Sequence, residues 1–183
     1  GLDPAQRHCV HVGRQFGSSM ETSQKAHDHL IAAWRESGLG SRGSKLHLLG
    51  DGPLREGLER LAEGEESIVF HGVTPHVVEW LLACDVFVLP SRWEGLPIAA
   101  IEALGTGIFC IFSDIAPLRE IGNELADFAP VGDVAGLSRA LAARLDAPQP
   151  VRRSRVQSFR GRNSIEGVAH EHLALYLRLA EQG

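Results

Sequence analysis

Short apolar runs alternate along this chain with longer amphipathic stretches. Runs at residues 8–12, 45–49, 67–71, 85–89 and 108–112, with a weaker one at 126–129, have the length and continuity of strands buried on both faces. Between them, apolar residues at helical spacing predict helices over 23–36, 53–62, 75–83, 97–104, 117–121 and 133–145. Apolar strands separated by helices of this length form crossover units. The expected fold is therefore α/β, with a parallel sheet of about six strands and helices on both faces.

The breaks in the pattern mark the helix starts. Pro53, Pro75, Pro97 and Pro117 each stand at or near a first helical position, where a missing N–H costs nothing and a fixed φ suits the helix. Thr74, before Pro75, is a good N-cap. A Pro/Gln/Arg-rich link follows residue 145. Asn163 with Glu166 then gives a capping-box pattern opening a final helix to about residue 182, with Val168, Leu173, Leu175, Tyr176 and Leu179 apolar.

Composition narrows the possibilities. A chain of 183 residues with 44% hydrophobic and 22% charged residues fits one globular domain. A net charge of −5 argues against bulk nucleic-acid binding, and no apolar run approaches the roughly 18 residues of a membrane span. The first residues do not read as a signal peptide, and the start at Gly1 without Met reads as a cut inside a longer protein. Cys9, Cys84 and Cys110 lie far apart in or beside apolar runs, which reads as reduced, buried thiols of a cytoplasmic protein. His27/His29 and His170/His172 are two apart on expected helices, so each pair points to different faces and makes a poor metal pair. Arg152, Arg153, Arg155, Arg160 and Arg162 read as a solvated helix face. Gly50-Asp51-Gly52 lacks the third glycine of a dinucleotide fingerprint, since Arg55 stands there. Ser91 has no nucleophile-elbow context.

The informative stretch is LPSRWEGLPIAAIEAL, residues 89–104, running from a strand's carboxyl end through a loop into a helix. In open parallel sheets, ligands bind beyond those carboxyl ends. Glu94 in the loop and Glu102 a turn into the helix can reach different parts of one extended polyol ligand. The amides of Gly95, Leu96 and Ile98 lie at the helix N-terminus, where a phosphate is favoured; Pro97 has none to give. Two glutamates at this spacing also fit an ordinary solvated helix, so the spacing alone decides nothing.

The whole phrase resembles the signature of the retaining glycosyltransferases of family four, the glycosyl transferases group 1, which have the GT-B architecture. Val12-Gly13-Arg14, Lys25, the LLGDGP segment at 48–53, VFHG at 69–72, DVFVLPS at 85–91, Ser113-Asp114, Arg119-Glu120 and HEHLALY at 170–176 match family motifs in order. The resemblance implies the C-terminal half of a GT-B fold: a Rossmann-like nucleotide-sugar-binding domain over residues 1–162, and a helix at 163–183 that packs toward an N-terminal acceptor domain upstream. It implies that Arg14 and Lys25 contact the donor diphosphate, with Gly13 letting the backbone approach, that Glu94 holds hydroxyls of the transferred sugar and Glu102 the ribose, and that Thr74 lies near the base or ribose. Arg14, Lys25 and Glu94 are then the catalytic set. Ten residues separate Arg14 from Lys25, longer than in many relatives, and Ile108 stands where many have Pro.

The implied reaction moves a sugar from a nucleoside diphosphate sugar to a hydroxyl acceptor, a glycan or lipid-linked glycan held by the missing half, with retention. No cofactor and no metal are implied, because two cations face the phosphates. The expected partners are a nucleotide sugar and a sugar or lipid-linked acceptor, with no nucleic acid. The expected location is cytoplasmic, and peripheral contact with a membrane's cytoplasmic face through the missing half stays open. These residues alone are expected to transfer no sugar. The alternatives are a non-catalytic nucleotide-sugar-binding module, one subunit of a split enzyme, or an epimerase or phosphorylase of the same architecture; a pyridoxal-phosphate lysine motif for the last is not seen.

Overall fold

The computed structural model describes residues 1–147 and 153–180. Its centre is a sheet of six parallel strands: β1 (His8–Val12), β2 (Lys45–Leu49), β3 (Ile68–Gly72), β4 (Val86–Leu89), β5 (Phe109–Ser113) and β6 (Ala126–Ala129). Their spatial order is β3-β2-β1-β4-β5-β6. Chain direction across the sheet therefore reverses at the β1/β4 pair, which is where a doubly wound sheet opens a crevice at its carboxyl edge. The expected strands at 67–71, 85–89 and 108–112 begin one residue later than their apolar runs.

Helices cover both faces. On one lie α1 (His27–Ser37), α2 (Arg55–Leu61) and α6 (Val134–Asp146), which bury Trp34, Leu58 and Leu141 against Cys9, Leu46, Leu48 and Val88. On the other lie α3 (Val77–Ala83), α4 (Ile98–Thr106), α5 (Ala116–Gly122) and α7 (Arg153–Arg162), packed on Val10, Phe87 and Phe112. Alternation along each strand divides its side chains between the two cores. His8, His47 and His71 form a row across β1, β2 and β3, with bonds of 3.0 and 2.9 Å. The Asp3 carbonyl accepts from His8 Nε2, so with neutral rings His47 Nε2 donates to His8 Nδ1 and His71 Nε2 donates to His47 Nδ1.

Several helix starts differ from expectation. α1 begins at His27, not 23, because Ser23–Ala26 forms a turn and Ala26 adopts a left-handed conformation, φ 49°. Thr74 does not cap α3; its hydroxyl accepts from the His76 N–H, making a turn one residue before the helix. Pro97 is the N-cap of α4, and Pro117 lies in the first turn of α5. Asp133 caps α6 through the Gly136 N–H at 2.8 Å.

The expected link after residue 145 contains a helix. α7 buries Val156 and Phe159 and ties Arg160 to the Gly105 carbonyl. Of the arginine run, Arg160 is exposed, Arg152 lies outside the described residues, and so do the side chains of Arg153, Arg155 and Arg162. The last helix, α8 (Ile165–Ala180), is capped by Ser164, which accepts from the Gly167 N–H at 3.0 Å. Asn163, the expected cap, instead donates to the Phe159 carbonyl at the end of α7. Ile165, Val168 and Leu173 are exposed on α8; the side chains of Leu175, Tyr176, Leu177 and Leu179 lie outside the described residues. No helix among the described residues is long and apolar enough to cross a membrane.

Candidate functional site

An open cleft of about 900 Å³ lies at the carboxyl edge of the sheet, over the β1/β4 reversal. Loops after β1, β2, β3 and β4 form its walls. Of the residues singled out from the sequence, Gly13, Arg14, Lys25, Thr74, Glu94, Gly95, Leu96 and Ile98 all line it. Glu102 sits one turn further along α4, exposed and outside that lining.

The loop between Arg14 and Lys25 is pinned at both ends. At its start, Gly13 and Gln15 donate backbone N–H groups to Leu49 and Asp51, and the Gln15 amide reaches the Gly50 carbonyl at 3.2 Å. This close approach needs Gly50. A Cβ there would stand 2.0 Å from the Gly13 carbonyl oxygen, and its φ of +124° suits no side chain. At its end, Arg92 makes a bidentate ion pair with Asp28 at 2.7 and 3.1 Å, donates to the Ser23 carbonyl, and gives its own N–H to the Gln24 carbonyl. One residue of the β4–α4 loop thus fixes the segment that carries Lys25.

Lys25 and Glu94 meet as a result. Lys25 Nζ donates to Glu94 Oε1 at 2.7 Å, with side chains 17% and 3% exposed. Ser91 Oγ also donates to Oε1, at 2.6 Å, and Gln24 Nε2 donates to Oε2 at 3.0 Å. The Lys25 stem crosses Gly13: a Cβ on Gly13 would lie 3.0 Å from Lys25 Cγ and 2.9 Å from His11 Nε2. Arg14 is exposed and makes no hydrogen bond or ion pair among the described residues, so its donors are free for an anion.

Beneath Gly13, His11 and His27 pack edge to face with centroids 4.6 Å apart. His11 Nδ1 donates to the Val88 carbonyl at 2.9 Å. Its Nε2 and both nitrogens of His27 are buried without a partner among the described residues. Burial, then the neighbouring His27 and Lys25, holds His11 well below the usual histidine range. Burial and Lys25 push His27 down to about 4; the Gly13 backbone, near the ring without meeting it in hydrogen-bond geometry, works the other way.

At the start of α4 the Ile98 N–H is spent on the Leu96 carbonyl at 3.0 Å, so it is not available as expected. No hydrogen bond among the described residues uses the amide of Ala99, in the first turn of α4, or those of Gly95 and Leu96, in the loop before it, and all three residues line the cleft. Ala99 takes the place foreseen for Ile98. A diphosphate entering here would meet two cations and the positive end of a helix dipole. Opposite, Val73, Thr74, Val77 and Pro53 give a mostly apolar wall, suited to a flat ring.

Gln24, Ser91, Arg92, Asp28 and the two buried histidines were not foreseen. Arg92 and Ser91 sit inside the informative stretch and could have been flagged there. The partners of Arg92 lie 63 or more positions away, so only the fold brings them together, and the partner of Ser91 is the Glu94 carboxylate. Among the described residues no group of His, Cys, Asp and Glu is placed to hold a metal ion. Cys9 and Cys110 are buried and Cys84 half-buried; burial pushes the Cys84 thiol up to about 12 and raises the other two as well.

Comparison with known proteins places the chain in a family. The family described as glycosyl transferases group 1 matches residues 7–147. A lipopolysaccharide core biosynthesis mannosyltransferase of Rhizobium meliloti is 28% identical over 159 residues, covering 80% of this chain and 43% of its own length. A GDP-mannose-dependent α-(1-6)-phosphatidylinositol dimannoside mannosyltransferase of Mycobacterium tuberculosis is 34% identical over 155 residues, covering 83% of this chain and 38% of its own. The sucrose-phosphate synthase structure from Thermosynechococcus elongatus superposes with a TM-score of 0.76 at 25% identity, covering 100% of this chain and 47% of that one. The chain thus spans less than half the length of these relatives.

Proposed function

This chain belongs to the glycosyl transferases group 1 family, with the GT-B fold, and from that premise we propose that it is the donor-binding domain of a retaining glycosyltransferase. The donor is a nucleoside diphosphate sugar, and the acceptor is a hydroxyl of a glycan or lipid-linked glycan. The observation that carries the reading is the convergence of Arg14, Lys25, Glu94 and the free amides of Gly95 and Leu96 on one cleft at the sheet's reversal point.

Breaking the anomeric C–O bond puts negative charge on the departing diphosphate and positive character on the sugar ring. Arg14, Lys25 and the start of α4 meet the first from fixed positions, so little reorganisation is needed as charge develops. Glu94 orients the sugar through a hydroxyl, and Glu102 holds the ribose. Glu94 is not assigned as a covalent nucleophile: its carboxylate already accepts from three donors. Acceptor attack on the face from which the diphosphate leaves, with the phosphate taking the acceptor proton, retains configuration without one. With two cations at the phosphates, the reading calls for no metal.

The acceptor wall belongs, in this reading, to the part of the relatives that this chain does not span. The Mycobacterium relative is named for GDP-mannose; a donor panel decides whether this protein shares that choice. The test is transfer: the complete protein, given UDP-, GDP- and ADP-sugars and a lipid-linked glycan acceptor, should form a product with the donor's anomeric configuration. An inverted product would overturn the retaining assignment. Tight nucleotide-sugar binding without any turnover would favour a binding module instead.

A further inference from the structure

Glu94 is held from three sides before any ligand arrives. Lys25 Nζ and Ser91 Oγ both donate to Oε1, at 2.7 and 2.6 Å, and Gln24 Nε2 donates to Oε2 at 3.0 Å. A carboxylate offers about four acceptor positions, two on each oxygen, so one remains, on Oε2. The side chain is 3% exposed, and Glu94 lines the cleft.

Neither helper is itself loosely placed. Ser91 is fully buried, and its carbonyl accepts from Ser113 Oγ at the end of β5. Gln24 is fixed through its carbonyl by the Arg92 N–H. Its amide must present nitrogen to Glu94, because a carboxylate only accepts. The arrangement therefore has a definite output: one carboxylate oxygen, in one orientation, with one lone pair free.

We propose that Gln24 and Ser91 are positioning residues that aim Glu94, leaving Oε2 to accept a single hydroxyl of the donor sugar. This rests on the donor-site reading above. Lys25 supplies the charge, but one ion pair leaves a carboxylate free to rotate about its last bond. The Ser91 and Gln24 bonds, one on each oxygen, remove that freedom. A single open acceptor position means that the Glu94 contribution to sugar binding depends on one ring position, and deletion of that one hydroxyl forfeits all of it.

The test uses Gln24→Met and Ser91→Ala, which keep bulk and remove the donors. Two quantities are measured. The first needs no ligand: proton exchange of the Lys25 ammonium by nitrogen NMR, with thermal unfolding as a control on the fold. Loosening of Glu94 should speed this exchange about fivefold in each variant, the size of one lost hydrogen bond. The second is calorimetric affinity for UDP, GDP and ADP against UDP-glucose, GDP-mannose and ADP-glucose. The nucleotide should bind each variant within about twofold of the parent, while the extra affinity given by the sugar falls about fivefold. Unchanged ammonium exchange in both variants would overturn the proposal, and so would equal weakening of nucleotide and nucleotide sugar. If the parent protein binds none of the six ligands, the donor-site reading fails, and the ammonium exchange still decides whether Gln24 and Ser91 fix Glu94.

Discussion

Lys25 Nζ and Glu94 Oε1 stand 2.7 Å apart although they lie 69 positions apart in sequence, and both line the cleft at the sheet's reversal point. The pair is nearly out of water, so it is expensive to break from one side. Removing the cation alone leaves a buried carboxyl without its ion-pair partner. Lys25→Met should therefore destabilise the domain by about 3 kcal/mol in urea unfolding. Arg14→Met, at an exposed and unpaired position, should stay within about 0.5 kcal/mol. Similar costs for the two variants would mean that the pair adds nothing to the fold.

Acid should unfold the protein through its buried neutral histidines. His27 titrates near 4 in the fold against 6.5 when free. The unfolded chain therefore binds the extra proton first. The contribution of His27 is fully present above 6.5, is lost as pH falls toward 4, and amounts to about 3 kcal/mol across that window. His11 and His47, also held down by burial, act in the same sense. Unfolding free energy measured between pH 7 and 4 should fall steeply, and His27→Phe should flatten part of the slope. A stability that is level across this range would contradict the burial of these rings.

Two cleft glycines should respond very differently to a methyl group. At Gly50 the added carbon meets the Gly13 carbonyl, and φ is +124°; at Gly95 it meets nothing within 4 Å. Gly50→Ala should cost about 3 kcal/mol or more, and Gly95→Ala about 0.5 kcal/mol or less. Thermal or urea unfolding of the two variants checks the ranking. The reverse order would mean that the β2 turn does not press on the loop that carries Arg14.

Much of this arrangement was legible in the sequence. The six strands lie within a residue of their apolar runs because residues buried on both faces leave a continuous signal. Arg14, Lys25 and Glu94 were singled out through motifs of the resembled family, and the structure brings all three to the lining of one cleft. What was not legible depends on tertiary contact. Ala26 in a left-handed turn shortens α1, and nothing in an alanine announces that. The α7 helix looks like a link because its arginines hide the two buried positions, Val156 and Phe159. The amide set at α4 shifted from Ile98 to Ala99 because a tight turn at Leu96 consumes one N–H, a detail below the resolution of a motif.

The two glutamates should separate by ligand. With Glu102 on the ribose, Glu102→Ala should weaken the bare nucleoside diphosphate by about 1.5–3 kcal/mol. Glu94→Ala should spare the bare nucleotide and weaken only the sugar-bearing donor. Equal effects of both substitutions on the bare nucleotide would exchange or merge these roles. The exposed position of Glu102 outside the cleft lining makes this the sharper half of the comparison.

The central claim is that the cleft is a nucleoside diphosphate site, and calorimetric titration of this chain with UDP, GDP and ADP tests it most directly. One of the three should bind, and Arg14→Ala should reduce that binding about tenfold, the weight of a charge-assisted hydrogen bond. No heat and no thermal stabilisation with any of the three at millimolar concentration would contradict the claim.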